Sequence, residues 1–219
     1  LSRVLKIIKN QKGPIALVVS ALGGVTDLLM EMLSLAQYGD DHYKDNLTVI
    51  EKRHLETIKN CIPIQHQSAI ISFLKKNLNE LESRLDAIHL LKEATPKNNS
   101  TISSYGEILS SNIIQEIFTF NKINSVLKDS RELIKTSSHN GRDIVDQEIT
   151  ENLIQSYFKK NTSDVVLLPG FIASNALGET TTLGRGGSDY SAAIIANATD
   201  SRVLEIWTDV SGMYTAHPK

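Results

Sequence analysis

The sequence predicts a three-layer α/β protein, in which a mostly parallel central sheet lies between layers of helices and one helical insert is added. Two observations support this prediction. Strands and helices alternate in the last third of the chain, which is typical of βαβ units and a parallel sheet. Near the start, the apolar strand Ile15–Val19 leads through Gly23 and Gly24 into a helix whose apolar residues recur at three- and four-residue spacing.

The first half of the chain is predicted to be mainly helical. An opening helix has one apolar face, formed by Leu1, Val4, Leu5 and Ile8, and Gly13-Pro14 ends it before the first strand. Residues 40–93 have a helical pattern, with a continuous apolar seam at Ile71, Leu74, Leu78, Leu81, Leu85 and Ile88. We interpret this segment, at about residues 40–94, as a helical insert in a single domain that occupies residues 1–219.

The second half is predicted to return to mixed structure. A polar loop is expected at residues 95–100, then a helix that carries Leu109, Ile113, Ile117 and Phe120, then short strands or turns at about 126–136 and a loop at 139–142. The remaining elements are predicted, in order, as a helix at about 150–159, a strand at Val165–Leu168, a helix at Ser188–Ala198 and a strand at Val203–Thr208.

The composition excludes several classes of function. The formal net charge is -2 and the pI is near 6.3. The chain therefore has no excess of basic residues that would indicate binding to nucleic acid or to an anionic membrane surface. The longest apolar stretch, Pro14 to Leu22, is shorter than the roughly 20 residues that a membrane-spanning helix needs. A single cysteine, Cys61, excludes an internal disulfide and indicates a reducing compartment, so we expect a cytoplasmic protein.

Polar and glycine-rich residues follow three of the predicted strands, where ligands bind in open parallel sheets. The first group is Ser20 to Thr26, which has two glycines between hydroxyl side chains. It is either a plain strand-to-helix turn or a place where the backbone approaches a ligand.

The second group, Thr180 to Tyr190, opens a helix of small residues. Amides at a helix start favour an anion, and Arg185 can hold a carboxylate or phosphate through two parallel hydrogen bonds. Asp189 lies in the first helical turn, where it either balances the helix dipole or orients a lysine or a metal beside phosphates.

The third group, Trp207 to Thr215, follows the last predicted strand, and Thr208, Asp209 and Tyr214 are candidate nucleotide contacts or simply a capped turn. Lys219 is either a phosphate-binding cation or a solvated side chain. Glu107, at the start of an apolar-faced helix, either favours the helix dipole or receives an ammonium group, and an ammonium-binding carboxylate would complement Arg185 on an amino acid. No Cys or His cluster has metal-ligand spacing, and Walker-type and Gly-x-Ser-x-Gly motifs are absent.

These groups, in this order, resemble the amino acid kinase superfamily and in particular the aspartate kinases. The resemblance is close over Val18 to Thr26 and closest over Gly170 to Tyr214, including Arg185-Gly186-Gly187-Ser188-Asp189 and Trp207-Thr208-Asp209. The turn Ala21 to Asp27 is also similar to that of bifunctional enzymes with a downstream homoserine dehydrogenase. The resemblance implies the amino acid kinase fold.

The resemblance also implies site roles. The aspartate pocket would include Ser20, Thr26, Glu107, Phe171, Arg185, Gly186, Gly187 and Ser188. Catalysis would involve Arg185 and Asp189, and ATP would contact Thr208, Asp209, Tyr214 and Lys219. The implied cofactors are ATP and Mg²⁺, and no protein ligand is assigned to the metal. The implied partners are L-aspartate and, in the full-length protein, further copies of the chain.

Two departures from the family pattern matter. His217-Pro218-Lys219 stands where the family usually has Asp-Pro-Arg. The ammonium group of a lysine is a point charge, so it cannot form the two parallel hydrogen bonds to a phosphate that an arginine guanidinium forms. The family's Lys-Phe-Gly-Gly-Thr-Ser segment would precede Leu1, and a second lysine and the regulatory ACT domains would follow Lys219. We therefore interpret the chain as truncated at both ends and expect it to be poorly active by itself.

The expected reaction is in-line attack by the aspartate side-chain carboxylate on the γ-phosphorus of ATP, which gives 4-phospho-L-aspartate and needs no general base. The reaction would serve lysine, threonine and methionine biosynthesis. Two alternatives remain open from the sequence: a noncatalytic module that binds an amino acid or a nucleotide, and a related kinase that acts on another carboxylate.

Overall fold

The computed structural model describes residues 2–11, 13–139 and 142–207. Its elements in chain order are α1 (Ser2–Asn10), β1 (Ile15–Val19), α2 (Val25–Tyr38), α3 (Tyr43–Cys61), a 3-10 turn (Ile64–His66), α4 (Ser68–Leu91), α5 (Pro96–Phe120), β2 (Ser125–Leu127), a 3-10 turn (Ser130–Glu132), β3 (Lys135–His139), β4 (Arg142–Val145), α6 (Gln147–Lys160), β5 (Val165–Pro169), β6 (Ile172–Asn175), β7 (Thr180–Thr182) and α7 (Gly187–Ala198).

The described strands form two sheets. In the first sheet β1, β5 and β2 are parallel and β5 is central, with Val19 of β1 paired with Pro169 of β5. The second sheet has the order β4-β3-β6-β7, and only its β3–β6 pair is parallel. The predicted α/β class and parallel sheet are confirmed, whereas the second sheet, which is mainly antiparallel, was not predicted.

The helical segment predicted at residues 40–93 is present as α3 and α4, which pack with α2 and α5 around one apolar core. Leu74, Leu81 and Leu85 of the predicted seam are fully buried. Ile71 lies at the edge of this core, and Ile70 is the buried residue in the first turn of α4. Helices α2 to α5 thus share one apolar cluster, while two further clusters pack the sheets against α1, α5, α6 and α7.

The prediction of a polar loop at residues 95–100 is wrong, because α5 begins at Pro96. The Thr95 hydroxyl caps the helix by accepting a hydrogen bond from the amide of Asn98 at 3.2 Å, and proline suits the first helical position, which has no partner for an amide in any case. The polar residues 97–100 therefore form the first turn of a long helix. Similarly, α6 begins at Gln147, where the Asp146 side chain caps the amide of Ile149.

The strand predicted at Val203–Thr208 is not formed over residues 203–207, which are exposed and have no strand partner among the described residues. A strand needs a neighbour to satisfy its amides and carbonyls, so the apolar pattern alone does not create one. The loop predicted at residues 139–142 begins and ends in strand residues, since His139 of β3 pairs with Arg142 of β4. No helix in the described parts of the chain is long and apolar enough to cross a membrane.

Candidate active site

The prediction that Glu107 stands at the start of a helix is wrong, because α5 begins at Pro96 and Glu107 lies in its middle, away from the helix end where a carboxylate would favour the dipole. The carboxylate is buried, and only 3% of the residue is exposed. Its Oε1 atom accepts a long hydrogen bond, of 3.4 Å, from the amide of Ala21, directly beyond β1. Its Oε2 atom is buried and has no hydrogen-bond partner in the described chain. A buried carboxylate oxygen without a donor is costly, so this position can accept a donor from a ligand.

Burial raises the pKa of Glu107 to about 7, and the Ala21 amide offsets this effect only in part. Near neutral pH the side chain is therefore divided between its neutral and ionised forms. A cation placed against the carboxylate would favour the ionised form. The electrostatics thus suit an ammonium group better than an anion.

The segment that follows the C-terminal end of a strand is called the exit of that strand. A second hydrogen bond connects the exit of β1 to α5. The hydroxyl of Ser110, which is fully buried, donates to the carbonyl of Ser20 at 2.7 Å. Ser20 is exposed and Thr26 is half-buried in the first turn of α2. The structure therefore places Ser20, Thr26 and Glu107 around the same strand end, and their roles stay predictions.

The exit of the neighbouring strand β5 is a tight turn at Gly170 and Phe171. The Gly170 amide donates to the carbonyl of Val19 at 2.8 Å, which joins the ends of β5 and β1. Phe171 has a left-handed backbone with φ of 63°, a conformation that is uncommon outside glycine. Its amide donates to the hydroxyl of Ser191 at 3.0 Å, and its carbonyl accepts from the amide of Leu183 at 2.8 Å.

The loop before α7 lies against this turn. A Cβ atom on Gly187 would be 2.7 Å from Cδ2 of Phe171, and one on Gly170 would be 2.7 Å from the side chain of Ser188. Gly186 caps α7 with a left-handed backbone. Glycines at these positions let the segment from Gly184 to Ser188 pack closely on the exit of β5.

Arg185 and Asp189 are exposed at the start of α7. Neither side chain has a hydrogen-bond or ion-pair partner within the described parts of the chain. Both are free to meet a ligand, and the helix start adds backbone amides that favour an anion.

The topology brings the two halves of the predicted site to one edge of the parallel sheet. Glu107 lies at the end of β1, and the Arg185 loop lies against the end of β5, the strand next to β1. Helix α7 also packs against β1. The contact of both side chains with one ligand remains a prediction, as do the individual residue roles.

The predicted nucleotide contacts Thr208, Asp209, Tyr214 and Lys219 lie outside the described residues. They stay predictions.

Three buried serines near the site were missed by the sequence reasoning. Ser110 holds the carbonyl of Ser20, Ser191 holds the amide of Phe171, and Ser130 donates to the carbonyl of Pro169 at 2.5 Å. All three are fully buried. The only sequence indication was the position of Ser110 and Ser191 on apolar helix faces, where a serine needs an internal partner.

A separate cleft of about 710 Å³ runs along the face of α5 that carries Ser104 and Ile108. It contains none of the predicted site residues. Two cationic side chains that line this cleft already have partners. Nε and Nη2 of Arg131 donate to Oδ1 and Oδ2 of Asp129, and Nε of Arg84 donates to the hydroxyl of Tyr105.

A sequence profile of the amino acid kinase family matches residues 1–219. The chain is 36% identical to the aspartokinase of Chlamydia muridarum, over 100% of this chain and 46% of that protein. It is 31% identical to the lysine-sensitive aspartokinase 3 of Escherichia coli, over 100% of this chain and 47% of that protein. It is 30% identical to the chloroplastic bifunctional aspartokinase/homoserine dehydrogenase 1 of Arabidopsis thaliana, over 97% of this chain and 24% of that protein.

The fold is similar to that of E. coli aspartokinase III solved in complex with aspartate and ADP. The TM-score is 0.85 at 28% sequence identity, over 98% of this chain and 46% of that one. The chain thus spans less than half the length of each of these curated relatives.

Proposed function

Because the chain belongs to the amino acid kinase family, we propose that it forms the catalytic domain of an aspartate kinase, which transfers the γ-phosphoryl group of ATP to the side-chain carboxylate of L-aspartate. The domain occupies residues 1–219 with its helical insert at about 40–94. The matches to aspartokinases over almost the whole chain support this proposal.

The observation that carries the proposal is the buried Oε2 atom of Glu107, which has no donor in the described chain and lies beside the exit of β1. An amino acid presents one ammonium group and at least one carboxylate. Glu107 receives the ammonium group, and the exposed Arg185 on the neighbouring strand exit binds the α-carboxylate. The amides of Gly186 and Ser188 at the start of α7 assist Arg185, whereas the amide of Gly187 donates to the carbonyl of Gly184 at 3.0 Å, so that Gly187 serves the pocket through its close packing on Phe171.

The pocket walls follow from the same arrangement. Ser20 and Thr26 supply hydroxyl groups at the exit of β1, and the ring of Phe171 covers the glycine of the α7 loop. Because the turn at Phe171 is packed directly on Gly187, the pocket is largely formed before the ligand arrives. A preformed site spends little binding energy on ordering.

In this proposal ATP binds to the site as its complex with Mg²⁺. The similar E. coli aspartokinase III was solved with ADP, and Thr208, Asp209, Tyr214 and Lys219 are the proposed nucleotide contacts. Among the described residues no three His, Cys, Asp or Glu side chains converge as metal ligands. Mg²⁺ commonly keeps several waters and is held by phosphates with one or two carboxylates. The exposed carboxylate of Asp189 can supply one of these, or orient a lysine.

The chemical step requires position and charge more than proton transfer. An oxygen of the aspartate side-chain carboxylate forms a bond to the γ-phosphorus while the bond from phosphorus to the ADP oxygen breaks. No proton moves, so no general base is needed, and stabilisation of the developing charge supplies most of the rate. Loss of one such contact typically costs about 3 kcal/mol.

The test uses the full-length protein. Release of ADP is measured with L-aspartate, L-glutamate and N-acetyl-L-glutamate as acceptors, and hydroxylamine traps the acyl phosphate as a hydroxamate. We expect turnover with aspartate only. Turnover with another acid in place of aspartate would identify that acid as the substrate. Binding of aspartate or ATP without any hydroxamate would indicate a noncatalytic binding module.

Location and assembly are part of the same proposal. The single cysteine favours a reducing compartment, and we propose the cytoplasm and a homo-oligomeric full-length protein. Because some similar proteins are named as chloroplastic, cell fractionation with detection of this chain decides the location. Light scattering on the full-length protein decides the assembly.

A further inference from the structure

Ser191 lies at the centre of the Arg185 half of the proposed pocket. Its hydroxyl is fully buried, accepts the Phe171 amide at 3.0 Å and donates to the carbonyl of Gly187 at 2.9 Å. It therefore joins the turn after β5 to the first turn of α7. Phe171 keeps an unfavourable left-handed backbone, and such a conformation persists only where surrounding contacts hold it.

In the Glu107 half of the pocket, Ser110 makes the corresponding contact between a helix and the backbone that follows a strand. It lies one helical turn beyond Glu107, and its buried hydroxyl donates across 90 residues of sequence to the carbonyl of Ser20 at 2.7 Å. The next residue, Ala21, donates its amide to Glu107. The hydroxyl of Ser110 thus fixes the backbone segment that orients the carboxylate.

The two halves meet at the end of the β1–β5 pairing, where the Gly170 amide donates a hydrogen bond to the carbonyl of Val19. Starting at Ser110, the connection runs through Ser20 and Val19 to Gly170 and Phe171, and it ends at Ser191. Only the two serines contribute side-chain atoms to it.

We propose that Ser110 and Ser191 are positioning residues, which hold the Glu107 and Arg185 halves of the aspartate pocket at a fixed separation without touching the substrate. This inference rests on the proposed function, because it needs a ligand that contacts both halves. Catalytic geometry tolerates little displacement, and a shift of about 1 Å can cost about 100-fold in rate.

Replacement of either serine by alanine removes the hydroxyl and leaves a backbone group, the carbonyl of Ser20 or the amide of Phe171, without this partner. We expect kcat/KM for aspartate to fall about 10- to 100-fold in Ser110→Ala and Ser191→Ala, with the KM for ATP unchanged. Threonine keeps the hydroxyl, so Ser191→Thr is expected to regain most of the activity.

Matched controls are available in α5. Ser111 and Ser103 are buried serines whose hydroxyls, within the described part of the chain, bond to carbonyls of their own helix alone. Ser111→Ala is the control for Ser110, and Ser103→Ala is the control for Ser191, whose bond to Gly187 has the same four-residue spacing. Both controls should keep the kcat/KM of the wild type.

The second readout is hydrogen exchange at the amide of Phe171, measured in the full-length protein without substrate. We expect exchange to accelerate about tenfold or more in Ser191→Ala, since a lost hydrogen bond of about 1.4 kcal/mol corresponds to tenfold, and to stay at the wild-type rate in Ser103→Ala. Unchanged exchange together with unchanged kcat/KM for aspartate would refute the positioning role. The role would also be refuted if kcat/KM fell equally for aspartate and for ATP and the control variants lost as much as the Ser110 and Ser191 variants. That pattern would report only weakened folding.

Failure of this inference is distinct from failure of the proposed function. If the wild type phosphorylates aspartate and the serine variants match their controls, only the positioning role is wrong. If the wild type does not use aspartate, the proposed function is wrong and the positioning role in an aspartate pocket fails with it. The exchange rates then show whether the serines still hold the two strand exits.

Discussion

Gly106 of α5 and Ala21 at the exit of β1 approach so closely that a Cβ atom on Gly106 would lie 2.7 Å from Cβ of Ala21. Only glycine permits this contact, which brings the next residue, Glu107, within reach of the Ala21 amide. The position of the buried Glu107 carboxylate thus depends on the absence of a methyl group on the preceding residue.

The first prediction concerns Gly106→Ala. Alanine improves helix propensity by about 1 kcal/mol, but overpacking a core contact typically costs about 1–3 kcal/mol, so we expect a small net loss of stability and a large loss of aspartate turnover. Urea unfolding and steady-state kinetics measure the two effects. Ser83→Ala, at an exposed position of α4, is the control, and normal aspartate kinetics in Gly106→Ala would contradict the role of this contact.

The second prediction concerns the stability of the ligand-free protein. Burial raises the pKa of Glu107 to about 7 from an ordinary value of 4.5, so the folded state holds this proton more tightly than the unfolded state. The resulting stabilisation is present in full below pH 4.5 and is lost as the pH rises to about 7, a difference of roughly 3 kcal/mol. Glu107→Gln has no such proton.

The measurement is the free energy of unfolding of wild type and Glu107→Gln between pH 4.5 and 8. The difference between the two proteins should move in favour of the glutamine variant as the pH rises, and it should level off above about pH 7. A difference that does not change with pH would show that Glu107 titrates normally.

The third prediction concerns substrate binding. An ammonium group pairs with the ionised carboxylate, so aspartate binding should strengthen as the pH rises through about 7 and should release a proton from Glu107. Titration calorimetry in buffers of different ionisation enthalpy counts that proton. Glu107→Gln should bind aspartate about 100-fold more weakly, the value of a charged hydrogen bond of about 3 kcal/mol, and should release no proton from this site.

The fourth prediction concerns Arg185. Its side chain is exposed, so Arg185→Lys should leave the melting temperature unchanged while it weakens aspartate binding, because lysine cannot form two parallel hydrogen bonds to a carboxylate. Differential scanning fluorimetry and the KM for aspartate separate these effects. Arg202→Lys, at another exposed arginine, is the control. Equal aspartate kinetics for the two variants would remove Arg185 from the pocket.

Several elements could be predicted because the spacing of their apolar residues shows which side chains are buried. Ile15–Val19 has the apolar run of a buried strand, and the structure has a strand with those bounds. Leu74, Leu81 and Leu85 repeat at helical spacing, and all three are fully buried in α4. Periodicity predicts such elements because one face of each must leave water.

Other elements were missed because their stability comes from distant partners. β7 consists of Thr180, Thr181 and Thr182, which have no apolar alternation, and the Thr181 hydroxyl lies 2.7 Å from that of Thr136 in a buried pair. In contrast, Val203–Trp207 has a strand-like pattern without a partner among the described residues. Strand formation depends on neighbours that a local pattern does not contain.

The sequence by itself determined the α/β class, the helical segment, and the residue types that suit an anion at Arg185 and a cation at Glu107. Only the tertiary structure decided that Glu107 is buried with a raised pKa, that the exits of β1 and β5 are joined, and that Ser110 and Ser191 hold them. The physical reason is that periodicity and residue chemistry are local, whereas desolvation and hydrogen-bond partners depend on segments that folding brings together from far along the chain.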